Sequence, residues 1–235
     1  MQQSEIWVDE AAHLLHIGDR TFPCDRDIEA LALWKGHALL LSSDTDCLSL
    51  WDADGLIRTA RVGVYPQDAA VQGDLAWVCG GADGRLYALE LPGLHAAAEI
   101  PLPGMAERLC LREGVAWVLT LLPEQEACAA LLRVDLARAQ SVEIARFAGL
   151  PGALAADEDG LWIGVSEVLM HRPFTADRAD LTIEGFGLPR HIRVEEDAVW
   201  VSDPLEGLTA RIVKAPRTAI EVLRRGETES RIFSR

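Results

Sequence analysis

A tryptophan followed by valine or isoleucine recurs five times along this chain, and this repeat constrains the fold more than any other feature. The five sites are Trp7, Trp77, Trp117, Trp162 and Trp200. The first interval is about twice as long as the others, and the apolar stretch at 37–42 fills it with Leu39 in the tryptophan position. The sequence therefore contains six copies of a unit of about 40 residues.

Each copy has the same order of four short apolar stretches separated by turn residues. An alternating stretch such as RLCLREG at 108–114 precedes an acidic or glycine turn and the tryptophan stretch. A third stretch such as RLYALEL at 85–91 and a fourth such as SVEIARFAG at 141–149 complete the copy. Apolar and polar residues alternate within these stretches, which favours strands over helices. The pattern predicts an all-β, six-bladed β-propeller of four-stranded antiparallel blades.

The two chain ends are predicted to complete one blade. The first copy begins at its second strand, and SRIFSR at 230–235 has the pattern of the missing first strand. We therefore expect residues 228–235 to join the N-terminal blade, because closure removes an open sheet edge; the alternative is a frayed tail. The predicted single domain spans 1–235, with blades at 228–235 plus 1–27, 28–66, 67–106, 107–150, 151–189 and 190–227.

The tryptophans of the repeat are interpreted as core residues between neighbouring blades, since one indole ring buries about 150–250 Å². Each indole N–H needs a partner, which we expect to be a backbone carbonyl. The alternative is a stacking platform for bases or sugars. Trp34 and Trp51 lie outside the repeat and are expected to be partly exposed.

Three segments carry a resemblance to a known superfamily. In 62–78, 147–163 and 186–201, a glycine and a proline end the fourth strand and lead through the first strand to an aromatic second strand. This order resembles the YVTN-type and quinoprotein-like β-propellers, and LSLWDADG at 48–55 is similar to WD repeats. The YVTN tetrapeptide and the His–Asp framework of WD repeats are missing. Such propellers include scaffolds, lyases, lactonases and dehydrogenase subunits, so the resemblance implies a fold and no single activity.

Charge and composition disfavour several classes of partner. The formal net charge of −15 argues against nucleic acids and anionic membrane surfaces, which need clustered Lys and Arg. No apolar run is long enough to span a bilayer, and the first residues lack the basic start of a secretory signal. We therefore expect a cytoplasmic protein. The five cysteines are widely spaced and form no CxxC pair, so neither a disulfide framework nor a zinc site is predicted.

A candidate ligand site lies where the fourth strand of one blade leads into the first strand of the next. These blade-to-blade connections place one residue per blade at the mouth of the central channel. In blade order the residues are Arg231, Glu29, Asp68, Arg108, Gly152 and His191, with Arg190 beside the last. Converging polar groups favour binding of a small anionic ligand, with His191 as a candidate for proton transfer. The alternative is that these charges neutralise one another around a water-filled channel.

The loops between the second and third strands are expected to share that face and are rich in carboxylates. They contain Asp9, Glu10, Asp44, Asp46, Asp83, Glu124, Glu126, Glu167, Asp203 and Glu206. Such a face could dock a basic protein partner, or the loops could simply be solvated. The segment at 119–132 has the longest predicted connection and is a further candidate for a partner surface. The alternative is that Leu121 and Leu122 fold back over the blade.

Motifs of metal and nucleophilic chemistry are scarce. His13 and His16 are three residues apart, which places them on opposite faces of a strand and disfavours a shared metal. DADG at 52–55 is interpreted as a hairpin turn, because no Glu follows at the twelfth position of a calcium loop. Lactonase-type propellers hold calcium with Asn and carboxylates, and this chain has no Asn; an all-carboxylate variant with Glu29 and Asp68 stays open. No cofactor is predicted.

The favoured interpretation is a non-catalytic binding or scaffolding propeller that presents its acidic loop face to a protein partner. The alternative is a small-molecule enzyme or sensor of the lyase, lactonase or hydrolase type. In that alternative Arg108, Arg231 and His191 grip an anionic group at the channel mouth.

Overall fold

The computed structural model describes residues 5–123, 126–175, 180–214, 220–224 and 231–233, which form six four-stranded sheets. Every pair of neighbouring strands with a recorded register is antiparallel, and none of the described residues is helical. The predicted fold class, an all-β, six-bladed β-propeller, is confirmed. Each blade has the predicted four strands.

The strands are numbered in chain order. Blade 1 contains β1 (Ile6–Asp9), β2 (Leu14–Ile17) and β3 (Arg20–Pro23); blade 2 contains β4 (Ile28–Trp34), β5 (His37–Ser42), β6 (Cys47–Asp52) and β7 (Gly55–Arg61). Blade 3 contains β8 (Asp68–Gln72), β9 (Leu75–Cys79), β10 (Arg85–Glu90) and β11 (His95–Pro101). Blade 4 contains β12 (Met105–Arg112), β13 (Val115–Leu122), β14 (Cys128–Asp135) and β15 (Gln140–Ala148). Blade 5 contains β16 (Pro151–Ala156), β17 (Gly160–Val165), β18 (Val168–Pro173) and β19 (Leu181–Glu184). Blade 6 contains β20 (His191–Val194), β21 (Ala198–Asp203), β22 (Leu208–Val213) and β23 (Ile220–Arg224), and β24 (Arg231–Phe233) ends the chain.

The C-terminal strand completes the N-terminal blade. Strand β24 pairs antiparallel with β1, with Asp9 opposite Arg231, Val8 opposite Ile232 and Trp7 opposite Phe233. The sheet order is β24-β1-β2-β3, so the last strand of the chain takes the first position of blade 1. The predicted closure is confirmed, and the alternative of a frayed tail is wrong for these three residues.

The chain divides into two compact units. The first contains Met1–Leu111 with the C-terminal strand, and the second contains Arg112–Thr228. A single domain over 1–235, with the six blade boundaries given above, stays a prediction. Within the described ranges no helix is long and apolar enough to cross a membrane.

In the first unit the middle strands of blade 2 are buried on both faces. Leu39 and Leu41 belong to a core cluster shared with Ala76 and Val78 of blade 3. Leu40, on the opposite face of β5, packs in a second cluster with residues of blade 1. A strand covered on both sides has a continuous apolar run in place of alternation, which explains why 37–42 is so apolar.

In the second unit, blades 5 and 6 also share a core cluster. Trp162 and Leu169 of blade 5 lie in one cluster with Val199, Val201 and Ile212 of blade 6. Burying an aliphatic side chain of this size contributes about 1.5–3 kcal/mol of gross stabilisation. Packing between blade faces therefore makes the core of this unit.

The tryptophans differ from the prediction in burial and in hydrogen-bond partners. Of the five repeat tryptophans, Trp77 and Trp162 are buried as expected, whereas Trp7, Trp117 and Trp200 are half-buried. Trp34, expected to be partly exposed, is buried and donates its Nε1–H to Oδ1 of Asp74 at 2.9 Å; Trp51 is half-buried as expected. The partners of Trp162 and Trp200 are carboxylates, Asp157 and Glu195, each at 2.9 Å, and not the expected backbone carbonyls. Both carboxylates come from the turn between the first and second strands of a blade, which brings an acidic acceptor close to the indole.

Two other predictions concern connections. The segment at 119–132 is mostly strand, because β13 extends to Leu122 and β14 begins at Cys128, with Leu121 opposite Ala129. Leu122 is buried and Leu121 is half-buried, and a partner surface at 119–132 stays a prediction. The turn at 52–55 is the predicted hairpin, in which Oδ1 of Asp52 accepts hydrogen bonds from the backbone N–H groups of Asp54 and Gly55.

Candidate functional site

In the first unit the blade-to-blade connections and the second-to-third loops lie side by side. In blade 2, the N–H of Ser43 donates to the carbonyl of Asp27 at 3.1 Å. In blade 3, the N–H of Gln67 donates to the carbonyl of Cys79 at 3.0 Å. In both blades the two loop sets therefore share one face, as the sequence predicted.

The second unit repeats this arrangement. The N–H of Ser166 donates to the carbonyl of Leu150 at 2.9 Å, and Oγ of Ser166 accepts the N–H of the same leucine at 2.9 Å. In blade 6, the N–H of Arg190 donates to the carbonyl of Ser202 at 2.9 Å. Loops of both sets are thus fastened to each other within a blade by backbone and hydroxyl groups.

Asp68 and Arg108 of the first unit are brought together with backbone groups. Asp68 is buried, and its Oδ2 accepts the N–H of Leu109 at 2.9 Å while Oδ1 accepts the N–H of Ala69 at 2.9 Å. Arg108 is also buried, and its Nη1 donates to the carbonyls of Glu107 at 2.6 Å and Gln67 at 3.4 Å. These two side chains therefore join the first strands of blades 3 and 4.

Glu29 lies at a β-bulge of blade 2. The pairing of β4 with β5 shifts between Ile28 and Ala30, which sets Glu29 apart from the regular register. Its Oε1 accepts a hydrogen bond from Oγ of Ser43 at 2.8 Å. Burial, and next the negative charge of Glu29, raise the pKa of Glu10 above its ordinary value. Two half-buried carboxylates from blades 1 and 2 thus interact on the loop face of this unit.

The other predicted mouth residues have different surroundings. In the second unit, Arg190 is half-buried, while His191 is exposed and begins β20 opposite Ser202. Gly152 is buried at a bulge of β16. The side chain of Arg231 lies outside the described residues, although its backbone pairs with Asp9. A ligand role for Glu29, Asp68, Arg108, Arg190, His191 and Arg231 stays a prediction, as does proton transfer by His191.

Metal binding has no structural support in the parts of the chain described. No group of three His, Cys, Asp or Glu side chains there is arranged to hold an ion. Both oxygens of Asp68 accept backbone N–H groups, which makes this residue a poor ligand for the all-carboxylate calcium site. His13 lies in a turn and His16 stacks on Trp7, with ring centroids 3.8 Å apart. The five cysteines are free thiols.

Carboxylates of the second-to-third loops support backbone groups in the first unit. Oδ1 of Asp9 accepts the N–H of Ala12 at 3.0 Å. Asp46 accepts the N–H of Tyr65 at 2.8 Å and pairs with Arg61 at 3.1 Å. These carboxylates shape the loops on which they lie, whereas Asp44 is exposed.

In the second unit, Asp203 likewise accepts hydrogen bonds from the backbone N–H groups of neighbouring loops. Its Oδ2 accepts the N–H groups of Gly187 and of Leu188, the latter at 2.9 Å. Its Oδ1 accepts those of Leu205 at 3.1 Å and Glu206 at 3.3 Å. The side chains of Glu126, Glu167 and Glu206 are exposed. Glu124 lies outside the described residues.

Several large apolar residues on the loops of this face are exposed, and three of them were not predicted from the sequence. They are Tyr65 in the first unit and Leu150 and Leu205 in the second, with exposed fractions of 63%, 46% and 73%. The backbone N–H of each is held by a loop side chain, namely Asp46, Ser166 and Asp203. Only the apolar character of these loop residues was visible in the sequence. Each of these residues therefore has an exposed apolar side chain and a backbone N–H that is fixed by a hydrogen bond.

Comparison with known proteins supports the fold assignment. No family model and no curated protein matches the sequence. Virginiamycin B lyase from Staphylococcus aureus aligns with a TM-score of 0.69 at 13% identity, over 87% of this chain and 72% of that one. A streptogramin B lyase gives a TM-score of 0.67 at 15% identity, over 86% and 73%. Kuenenia stuttgartiensis hydrazine synthase gives 0.69 at 10% identity, over 87% and 71%. At these identities the likeness establishes a β-propeller fold and no activity.

Proposed function

We propose that this β-propeller is a non-catalytic binding module that presents its loop-bearing face to a protein partner. The observation that carries the proposal is the set of exposed apolar loop residues, Tyr65, Leu150 and Leu205, whose backbone N–H groups are held by neighbouring side chains. A rigid loop loses little conformational entropy on association, so more of the contact energy contributes to affinity. Apolar anchors on rigid loops are features of a recognition surface.

The acidic residues among these loops favour a partner of opposite charge. Asp44 in the first unit, and Glu167 and Glu206 in the second, are exposed carboxylates on the second-to-third loops. In a chain with a formal net charge of −15, such groups repel acidic proteins and accelerate encounter with basic ones. The charge therefore contributes selectivity, while the apolar residues contribute affinity.

The alternative of a small-molecule enzyme has less support. Asp68 and Arg108, two of its expected ligand groups, are buried and hydrogen-bonded to backbone groups of β8, β12 and the connections before them. Using them on a ligand would require those bonds to break. The structural neighbours include lyases, but fold likeness alone does not transfer an activity.

The proposal is tested by affinity capture with the full chain as bait, using lysate of the native organism. The loop variant carries Asp44→Asn, Glu167→Gln and Glu206→Gln. The matched control carries Glu90→Gln, Glu158→Gln and Glu196→Gln, which remove the same charge from exposed positions at the other ends of the strands. We expect a protein retained by the wild type and the control and depleted from the loop variant. Equal retention by all three baits contradicts the proposal, as does turnover of a small molecule by the isolated chain.

A further inference from the structure

We infer that the first unit carries a docking site for a basic protein segment, with Tyr65 as its apolar anchor. The site, which we call the Tyr65 patch, consists of Val64 and Tyr65 on the connection between blades 2 and 3 and Met105 at the start of β12. Their exposed fractions are 50%, 63% and 38%. This inference rests on the proposed function and specifies the partner's chemistry.

Two isolated β-bridges join the backbone segments beneath the Tyr65 patch. Gly81 forms a parallel bridge with Val64 and an antiparallel bridge with Ala106. The N–H of Val64 donates to the carbonyl of Gly80 at 3.1 Å, and the N–H of Ala82 donates to the carbonyl of Val64 at 2.8 Å. The segment bearing Tyr65, the second-to-third loop of blade 3 and the start of blade 4 are therefore fixed side by side.

Tyr65 is held in a backbone conformation that tyrosine rarely adopts. Its φ is +57°, in the left-handed region, where a residue with a Cβ carries a strain of about 1–3 kcal/mol. Oδ1 of Asp46 accepts its N–H at 2.8 Å, and Nε2 of Gln67 donates to its carbonyl at 3.1 Å. An asparagine or glycine would suit this backbone better. A bulky exposed aromatic at a strained position with both backbone groups bonded is consistent with selection for the side chain itself.

The charges next to the Tyr65 patch are mainly negative. The hydrogen bond from the N–H of Tyr65, followed by the one from Arg61, lowers the pKa of Asp46, so its carboxylate stays ionised. Asp44, two residues before Asp46, is exposed. Asp83, two residues after Gly81, adds negative charge beneath the surface, because its Oδ1 is buried and its Oδ2 accepts the hydroxyl of Tyr87. Arg61 is a nearby cation, and it is paired with Asp46 at 3.1 Å. The surroundings therefore favour cationic groups beside the apolar anchor.

The occupant that fits is a segment in which an aliphatic or aromatic side chain is flanked by arginine or lysine. The apolar side chain would pack on Tyr65 and Val64, and the cations would lie near the exposed carboxylate of Asp44. Tyrosine is among the residues that contribute most to protein interfaces, and guanidinium groups also stack well on its ring. An acidic segment would meet repulsion at the same place.

The test uses three synthetic twelve-residue peptides and the isotope-labelled full chain. One peptide alternates Arg and Leu, the second Arg and Ser, and the third Glu and Leu. The protein variants are Tyr65→Asn, which removes the ring and tolerates positive φ, and Leu56→Ser, which removes an exposed apolar residue of β7. Amide chemical shifts locate binding, titration gives Kd, and the thermal midpoint checks that each variant is folded.

We expect the Arg–Leu peptide to shift amides at 63–66, 81–84 and 105–107. Its affinity should fall at least tenfold in Tyr65→Asn and stay unchanged in Leu56→Ser, and the other two peptides should bind at least tenfold more weakly. Equal binding of the Glu–Leu peptide, or binding unaffected by Tyr65→Asn, overturns the inference. If a captured partner depends on the loop carboxylates and ignores Tyr65→Asn, this inference fails and the proposed function stands. If neither change affects capture, both fail.

Discussion

Trp162 donates its indole N–H to Oδ2 of Asp157 over 2.9 Å, and both side chains are buried in blade 5. Oδ1 of the same carboxylate accepts the N–H of Gly160 at 2.8 Å and lies 3.4 Å from Nε2 of His171. The guanidinium of Arg112 donates to the backbone carbonyl of Asp157. One carboxylate thus connects the turn before β17 with strands β17 and β18.

Replacing Asp157 with Asn should destabilise the protein. The amide keeps one oxygen acceptor but turns an NH₂ group toward donors, so at least one buried donor loses its partner. The charged acceptor is also lost, and hydrogen bonds to charged groups contribute about 1.5–3 kcal/mol. We expect the free energy of unfolding in urea to fall by about 2 kcal/mol. Glu158→Gln, an exposed neighbour, is the control and should change it by less than about 0.5 kcal/mol; equal effects of the two variants would contradict the assignment.

Acid should weaken the contribution of Asp157. Burial raises its pKa, but the hydrogen bonds from His171, Trp162 and the N–H of Gly160 lower it more, and the net pKa lies well below the usual range. A carboxyl with a lowered pKa in the folded state stabilises the fold above the unfolded value of about 3.9 and loses this effect as pH falls toward the folded value. The stability difference between wild type and Asp157→Asn should therefore shrink as the pH falls below about pH 4. A difference independent of pH in acid would show that the charge is not responsible.

Tyr87 should ionise later than an ordinary tyrosine. Burial, followed by its hydrogen bond of 2.5 Å to Oδ2 of Asp83, raises the pKa of Tyr87 to about 12. The protonated phenol therefore stabilises the fold fully below about pH 10 and loses this effect as pH rises through its folded pKa. Near-ultraviolet absorbance of the phenolate, measured in a Tyr65→Phe background, reports this group alone. Asp83→Asn should lower the midpoint and Glu90→Gln should not; ionisation near pH 10 with Asp83 present would refute the contact.

The blade count and the closing strand could be predicted because both depend on the period of apolar residues. Leu39 identified a blade without its tryptophan, since the flanking stretches kept the spacing. The residues 231–233 were recognised as a first strand by pattern, and their pairing with β1 follows from closure. Periodicity along the chain was sufficient for these features.

Side-chain partners could not be predicted in the same way. Asp74 accepts a hydrogen bond from Trp34, which is 40 residues away in the sequence, and Asp68 accepts the N–H of Leu109, which is 41 residues away. Such contacts depend on the distance and angle between neighbouring strands, which the repeat pattern does not encode. For this reason the backbone hydrogen bonds of Asp68 and Arg108 could not be predicted from the sequence. The exposure of Tyr65 could not be predicted either, because it depends on the backbone conformation of one loop residue, which the repeat pattern also does not encode.

Adding a methyl group at Gly81 should disturb the Tyr65 patch. A Cβ there would come within 1.8 Å of the carbonyl oxygen of Tyr65, and the φ of Gly81 is +65°. Gly73 has φ of +62° and nothing within 4 Å of its Cβ position, so Gly73→Ala isolates the backbone strain. We expect Gly73→Ala to cost about 1–2 kcal/mol of unfolding free energy. Gly81→Ala should cost about 1–3 kcal/mol more and shift the amides at 64–66; equal costs would mean that the two segments are not in contact.

Removing the last strand should open blade 1. Three residues of β24 pair with β1, so truncation after residue 229 leaves the backbone N–H and C=O groups on that edge of β1 without partners. An unpaired strand edge is prone to associate with other chains, and the lost pairing lowers the free energy of unfolding. We expect a lower thermal midpoint and oligomers in size-exclusion chromatography. A synthetic peptide of residues 226–235 should restore the midpoint and the elution volume of the full chain by adding the missing strand, and a scrambled peptide should not. A truncated chain with the thermal midpoint and elution volume of the full chain would show that β24 does not support the closure.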